Sequence, residues 1–557
     1  MTLPALPAAP LSEDLYRDAC RAGLAQVARA FPEDLALAAQ AVAQARQAWP
    51  ADADPLAEPW PPMRMRQAPP APAAAMTQAR QRAPLPPASL PAPREPWHWL
   101  DAGQIAAAYR AGDFGPVELA RALLERIDAL DGGLHAFIDV DAGQVLAQAR
   151  ACEARLRAGT PRGPLEGVPV GIKDILDVAG QATTCHSLLR LDHRAAQDAF
   201  VVARLRQAGA VLMGKLALHE FAVGGPPVTV PFPSALNPWD RTRHPGGSSS
   251  GSGVALAAGL VPLALGTDTG GSVRNPAGHC GVAGLKPTYG LVSRTGAFPL
   301  SFTLDHIGPM ARSVADLACL LDAIAAWDGA DPACAPFARP AYGSKLHAGV
   351  AGLRIGLLRH FHEEDMPAHP EVAAAFEQAA QLLREAGARV CEARLPPLQR
   401  FGAAQRVIFQ SEAWAIHAQG LRTRPQDYSP VARQKLLPGA LLSAAEYVQA
   451  QQLRGPLMAA VDQALESVDV LMAVNSMDPP CRVDDAQACR QTYGRHARSP
   501  FNLTGHPALA VMAGLSGEGL PLSVQFVGRA FDEATVLQVG AEFERRAGWA
   551  GRHPPGL

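Results

Sequence analysis

A basic surplus, paired cysteines and a long apolar run are all missing from this chain of 557 residues. Lys and Arg number 50 against 52 Asp and Glu. No cationic excess is left to neutralise phosphates, which argues against nucleic acid or an anionic membrane as partner. The nine cysteines are scattered without a CxxC, and the closest pair, Cys481 and Cys489, has no histidine at zinc-ligand spacing. Free thiols in a reducing cytoplasm are therefore expected, not a disulfide framework or a metal site. The longest apolar stretch, Val254 to Leu265, contains Gly259 and Pro262 and is too short to cross a bilayer. The opening MTLPALPAAPLSEDL lacks the basic start and apolar core of a signal peptide. What is present is 48% hydrophobic residues over a length beyond one ordinary domain, ample for a large core.

Composition divides the chain. From Glu13 to Trp49 apolar residues recur at helical spacing in two segments, Leu15, Ala19, Ala22, Leu24, Val27 and then Leu35, Ala38, Val42, Ala45, Trp49. Pro32 starts the second segment after a turn at Phe31, so residues 1–60 read as a helical hairpin. Such a hairpin buries too little surface to stand alone and must dock on something. Residues 61–96 are rich in Pro and Ala, keep no apolar period and read as an extended linker. In residues 97–557 helical patterns at Pro116 to Leu130, Asp198 to Gln207, Pro370 to Ala386 and Ala444 to Ser467 alternate with short strands such as Ala210 to Gly214. That alternation predicts an α/β fold, a mixed central sheet covered by helices on both faces.

The chemistry concentrates in Gly246 to Arg274, GGSSSGSGVALAAGLVPLALGTDTGGSVR, and in Lys173 upstream within VPVGIKD. Two glycine-rich turns each present a serine, and one lysine stands at the end of a strand-like run in which Val168, Val170 and Ile172 alternate. A serine hydroxyl attacks an amide carbonyl only if a base takes its proton, and a neutral lysine is a known variant of that base. Burial against apolar neighbours lowers a lysine pKa by up to roughly 3–5 units, which makes the neutral form accessible. The attack also needs donors for an oxyanion, and backbone N–H groups of a tight glycine turn can converge on one point. Thr269, Gly270 and Gly271 stand directly before Ser272 and are the candidate oxyanion hole.

Each piece has a plainer reading. GIKD alone suits a strand end with a solvated lysine, and GGSSSGSG alone suits a flexible loop. The second is no phosphate loop, because no Lys-Ser or Lys-Thr closes it. Asp268-Thr269-Gly270 would need a second such turn to make an aspartic protease, and none exists. His219 and His279 near the motifs read as packed structural residues, and Cys185 and Cys280 as core or pocket wall.

Taken together, VPVGIKD, PGGSSSGSG and LGTDTGGSVRNPAGHCGVAGLKPTYGLVSRTG resemble the amidase signature family of Ser-cisSer-Lys amidohydrolases. The likeness runs from about Trp97 to about Arg546 and takes in FNLTGHPALAVMAG and GLPLSVQFVG near the C-terminus. It implies Lys173 as general base, Ser272 as acyl-enzyme nucleophile and Ser248 as the bridging serine after a cis peptide bond, Gly247-Ser248. Asp268 and Arg274 would hold the turn. Ser250 departs from the family pattern, which has glycine there. Residues 12–63 resemble the small helical accessory subunits that accompany some bacterial hydrolases of this family in ureide breakdown.

The resemblance implies a cytoplasmic amidohydrolase that cleaves a small carboxamide or ureide through a Ser acyl-enzyme, releasing ammonia or an amine. No metal or organic cofactor is expected. The expected partner is the small-molecule amide, with no nucleic acid and no membrane, and with a homodimer left open. A second reading is the glutaminase (A-type) subunit of a tRNA-dependent amidotransferase complex, which shares the catalytic core. A third, a silent scaffold, is disfavoured by the complete Lys173, Ser248 and Ser272 set.

Overall fold

The structure is a computed structural model and describes residues 11–50, 52, 96–225, 231–337 and 339–557. Of the expected 61–96 linker, residues 61–95 lie outside the described residues. Eleven strands form one mixed sheet in the order β1-β3-β2-β4-β6-β5-β10-β11-β9-β7-β8. They are β1 Phe137–Asp139, β2 Pro169–Lys173, β3 Val211–Leu216, β4 Leu263–Asp268, β5 Ala283–Lys286 and β6 His306–Ala311. The rest are β7 Arg354–Leu357, β8 Arg389–Glu392, β9 Val470–Val474, β10 Ala508–Leu515 and β11 Pro521–Gly528. Strands β3-β2-β4 and β8-β7-β9 run parallel, and antiparallel pairs join and edge them. Every residue of β2, β4, β9 and β11 is buried, so these strands are covered on both faces, as the α/β expectation requires.

Local chemistry sets the helix boundaries. The helix Pro116–Leu130 starts with proline at its first position, and the Glu118 carboxylate reaches back to the Gly115 N–H at 2.8 Å. Ala444–Ser467 starts with a Ser443/Glu446 capping box. The run Val254 to Leu265 divides into the end of a fully buried helix, Ser250–Ala257, and the start of β4.

The N-terminal segment departs from a plain hairpin. Its described residues form three helices, Glu13–Arg21, Ala25–Ala30 and Pro32–Gln47, because Gly23 takes a φ of +75° and breaks the first period. Arg422 packs against that glycine and donates to the Ala22 carbonyl at 3.0 Å, so the break is fixed from outside the segment. Leu24, Val27, Leu35 and Ala38 are fully buried and join the main hydrophobic core. Asp34 meets Arg433 at 2.8 Å in a buried pair, and the Arg433 guanidinium lies 3.9 Å from the Phe31 ring centroid. The helices therefore seat on Leu398–Thr423 and on Pro430–Leu436.

Candidate active site

Parallel neighbours β2 and β4 both deliver their C-terminal ends to one place, where ligands of parallel α/β sheets are commonly met. Lys173 is the last residue of β2 and is fully buried. Its Nζ lies 2.9 Å from Ser248 Oγ, 3.0 Å from Ser249 Oγ and 2.7 Å from Thr267 Oγ1. Burial pushes the Lys173 amine down from 10.5 to about 7, against the opposing pull of the Asp268 and Asp305 carboxylates. No described carboxylate touches it, so only hydroxyls share its protons.

Those hydroxyls are not equivalent. Ser249 Oγ donates to the Thr267 carbonyl at 3.2 Å and accepts from the Thr267 N–H at 3.2 Å, so toward Lys173 it can only accept. A neutral amine has one lone pair, and Ser248 is placed to donate to it. The Gly247-Ser248 bond is cis, as the family resemblance implies. The Gly247 N–H donates to Asn275 Oδ1 at 2.9 Å, and the His219 ring packs where a side chain at Gly247 would stand. Ser250 is the first residue of a regular helix with an ordinary negative φ, so its departure from the family's glycine costs no backbone strain.

The second turn, Thr269 to Ser272, leaves β4. Asp268 and Arg274 pair at 3.1 Å through two parallel contacts and are both fully buried. Burial works to raise the Asp268 carboxyl, but the Arg274 guanidinium and Asn502 overcome it and hold it well below the usual carboxylate range. Arg274 is further tied to Asn502, Gln525 and the Arg498 carbonyl, so the turn is clamped from as far as β11, four strands over from β4. Asp268 Oδ1 also takes the Gly271 N–H at 2.7 Å. The Gly271 amide, one of the expected oxyanion donors, thus meets the carboxylate, while the Thr269, Gly270 and Ser272 amides make no hydrogen bond with a described residue. Gly271 has a φ of +124° and lies against Arg498, two reasons for glycine there.

Ser272 is partly exposed, and its hydroxyl makes no hydrogen bond with a described residue. Lys173 and Ser248 are thus joined, and the Ser249 N–H donates to the Ser272 carbonyl at 3.2 Å, which sets the two turns against each other. A cavity of about 240 Å³ borders the turn at Thr267 and Thr269, walled by Phe298, Leu300 and Phe302. Burial lowers the pKa of His219 and of His279, which keeps both rings neutral and packed, and it raises the thiols of Cys185 and Cys280. Among the described residues, His362, Glu363 and Glu377 are close enough to share a metal ion, but Glu377 is already held by Arg359 and none of the three touches this site.

Asn502, Gln525, Asn275, Ser249 and Thr267 were not singled out by the sequence. Their signal is a lone amide or hydroxyl within an otherwise apolar segment, as Gln525 in SVQFVG and Asn502 in FNLTG.

The profile of the Amidase family matches residues 118–537. The chain belongs to the amidase family. A Roseiflexus castenholzii protein, by name the A subunit of a glutamyl-tRNA(Gln) amidotransferase, is 41% identical over 486 residues, 82% of this chain and 98% of that protein. The Halorhodospira halophila protein of the same name is 40% identical over 489 residues, covering 83% of this chain and all of that one. Among solved structures, the peptide amidase of Stenotrophomonas maltophilia is 33% identical with a TM-score of 0.74, over 83% of this chain and 99% of that one. A protein of a vestigial complex, studied for the evolutionary origins of an s-triazine catabolic enzyme, is 34% identical with a TM-score of 0.75, over 80% and 98%.

These relatives correct the expected partners. Proteins of the same family at this identity are, by name, parts of an enzyme of a charged tRNA, so a partner set confined to a small amide and a second copy of the chain, without nucleic acid, does not stand. No described helix is long and apolar enough to cross a membrane.

Proposed function

We propose that this amidase-family hydrolase cleaves a carboxamide to a carboxylic acid and ammonia through an acyl-enzyme on Ser272. The observation that carries the reading is the buried Lys173 amine, pushed to about 7 and 2.9 Å from Ser248 Oγ, beside a glycine turn that exposes Ser272. Ser272 Oγ bonds to the amide carbonyl carbon while its proton passes to Ser248 Oγ, whose own proton passes to Lys173 Nζ. The tetrahedral oxyanion accepts from the Thr269 and Gly270 amides. On collapse the relay runs backward, the leaving nitrogen is protonated, the C–N bond breaks and ammonia departs. Water then repeats the sequence on the ester and frees Ser272.

The names of the curated relatives favour glutamine as the carboxamide, and with it the role of ammonia-producing A-type subunit in a tRNA-dependent amidotransferase. The second reading, a hydrolase of a small carboxamide or ureide that works without such a complex, is favoured by the helices fixed on its surface through Asp34 and Arg433. In that reading the N-terminal segment serves as a built-in accessory subunit. An ammonia-release assay over glutamine, aliphatic amides and ureides, run beside Ser272→Ala, tests both. Release from at least one amide, reduced at least 1,000-fold in the variant, is expected; full turnover by Ser272→Ala refutes the assignment. Glutamine turnover that appears only with partner subunits selects the first reading.

A further inference from the structure

The turn from Asp268 to Ser272 is held peptide by peptide. The Asp268 carbonyl accepts from Asn502 Nδ2 at 3.0 Å, the Gly271 N–H meets the Asp268 carboxylate, and the Gly271 carbonyl accepts from the Asn275 N–H at 2.7 Å. Asn502, Asp268 and Asn275 are all buried. The remaining peptide joins Thr269 to Gly270, and its carbonyl faces the side chain of Gln405, with Nε2 3.4 Å away. A carbonyl only accepts, so it is the NH2 of the Gln405 amide that is turned to it.

Gly270 bears independent witness to that contact. Its φ lies outside the left-handed region, so the backbone here does not call for glycine. Beyond its chain neighbours, the one heavy atom near the place its Cβ would take is Gln405 Nε2, at 3.0 Å. A side chain at this position would push the Gln405 amide off the Thr269 carbonyl. Gln405 stands on the helix Leu398–Thr423, which Arg400 ties to Asp52 at 2.7 Å and Arg422 ties to the Ala22 carbonyl. The amide therefore comes from a helix anchored near both ends. Unlike the other partners of the turn, Gln405 is only half-buried.

Peptide planarity carries the contact to the other side of the turn. The Thr269-Gly270 bond is trans, so its C=O and N–H point in opposite directions. A carbonyl fixed toward Gln405 fixes the Gly270 N–H away from it, and that N–H makes no hydrogen bond with a described residue. We infer that Gln405 is a positioning residue for catalysis: it holds the Thr269-Gly270 peptide so that the Gly270 N–H is preset as an oxyanion donor. The inference rests on the acyl-enzyme reading above and adds to it a residue that does not touch the reacting atoms. A preset donor stabilises the transition state without first reorganising, and a whole donor lost lowers kcat by about 100- to 1,000-fold. A donor loosened rather than lost gives a smaller fall, at least tenfold. The ground-state amide carries no developed oxyanion, so KM stays where it is.

The test uses the full chain at pH 8, with glutamine and butanamide as amides and an alkyl fluorophosphonate as a probe that needs no knowledge of the substrate. In labelling, Ser272 Oγ bonds to phosphorus as its proton enters the relay. The P–F bond breaks, fluoride leaves, and the phosphoryl oxygen takes the place of the oxyanion. Gln405→Met keeps the length of the side chain and removes the donor. It should lower kcat for whichever amide is turned over, and the labelling rate by a similar factor, at least tenfold, with KM within twofold and the urea midpoint unchanged. Gln405→His, which can present an N–H at nearly the same reach, should fall between. If Gln405→Met does not fold, Gln405→Ala, which needs no extra room, takes its place. An unchanged kcat in the folded variant, a loss confined to KM, or equal losses in Gln405→Met and Gln405→His overturns the positioning role and leaves the amidase reading in place. Labelling that Gln405→Met slows, without ammonia from either amide, keeps the positioning role and removes only the choice of amide. No ammonia, together with labelling no faster than that of Ser272→Ala, overturns the amidase reading and the inference with it.

Discussion

On the proposed relay one buried amine sets the pH dependence of the rate, and its lowered pKa makes stability rise with pH, the opposite of a lysine held by an ion pair. At its ordinary 10.5, Lys173 would be neutral in only about one molecule in 3,000 at pH 7; at about 7 it is neutral in about half. The acylation rate should therefore rise with pH, from about a hundredth of its plateau at pH 5 to about half at pH 7, and level off above pH 8. The stability effect follows by linkage. Between pH 7 and 10.5 the unfolded chain holds a proton on this lysine that the folded chain lacks, so stability rises with pH across that window. Below pH 7 both states are protonated and the folded state carries the full penalty, about 5 kcal/mol for a fall from 10.5 to about 7 in a fully buried group. Lys173→Met removes the penalty and the titration together. It should be inactive, more stable than the unsubstituted chain at pH 6 by up to about 5 kcal/mol, and by less than about 1 kcal/mol near pH 10. The measurements are kcat/KM for ammonia release from pH 5 to 9, and paired urea unfolding of the two proteins at pH 6 and 10. Subtracting the two proteins removes other groups that titrate in this range, such as Lys435 at about 8. A rate that is flat from pH 5 to 8, or a Lys173→Met gain that does not shrink toward pH 10, refutes the reasoning.

Two further outcomes test the frame around the site. Gly271→Ala places a Cβ against the Arg498 guanidinium at a φ of +124°, and should lower stability by about 1–3 kcal/mol and abolish ammonia release, read by thermal unfolding and turnover. Gly132→Ala, with open space around it, should leave both unchanged. Asp34→Ala strips Arg433 of its carboxylate but leaves it the Pro425 and Tyr428 carbonyls and the Phe31 ring, so the loss should be about 2 kcal/mol, below the ~3–5 of a buried charge left bare. An unchanged urea midpoint would show that the N-terminal helices contribute nothing to the fold.

What could be read in the sequence was what chain neighbours decide. Pro116–Leu130 and Ala444–Ser467 begin and end where their caps and periodicity indicate, because both signals are local. Lys173, Ser248 and Ser272 stood out for a similar reason: glycine-dense turns and an apolar strand announce themselves within a few residues. Gly23 was not, since the helical period runs through it and the contact that fixes its left-handed φ comes from Arg422, far along the chain. The carboxylate partner of the Gly271 amide was not legible, because the orientation of the Asp268 side chain is set by Arg274 and Asn502. Arg498 is least visible of all. In YGRHARSP nothing separates it from Arg495, and only the folded sheet turns one toward Asp478 and the other toward Gly271. Nor did residue patterns foretell the relatives: the near-zero charge balance pointed away from nucleic acid, whereas those relatives carry the name of a tRNA enzyme.

The helix Pro430–Leu436 has seven residues, and it holds Arg433 and Lys435 two positions apart. Side chains at that spacing leave a helix on opposite sides. One reaches out to the N-terminal helices and the other reaches in to Gly224 and the Tyr493 ring. The same seven residues thus tie the N-terminal helices on one side to the Gly224 carbonyl and the Tyr493 ring on the other.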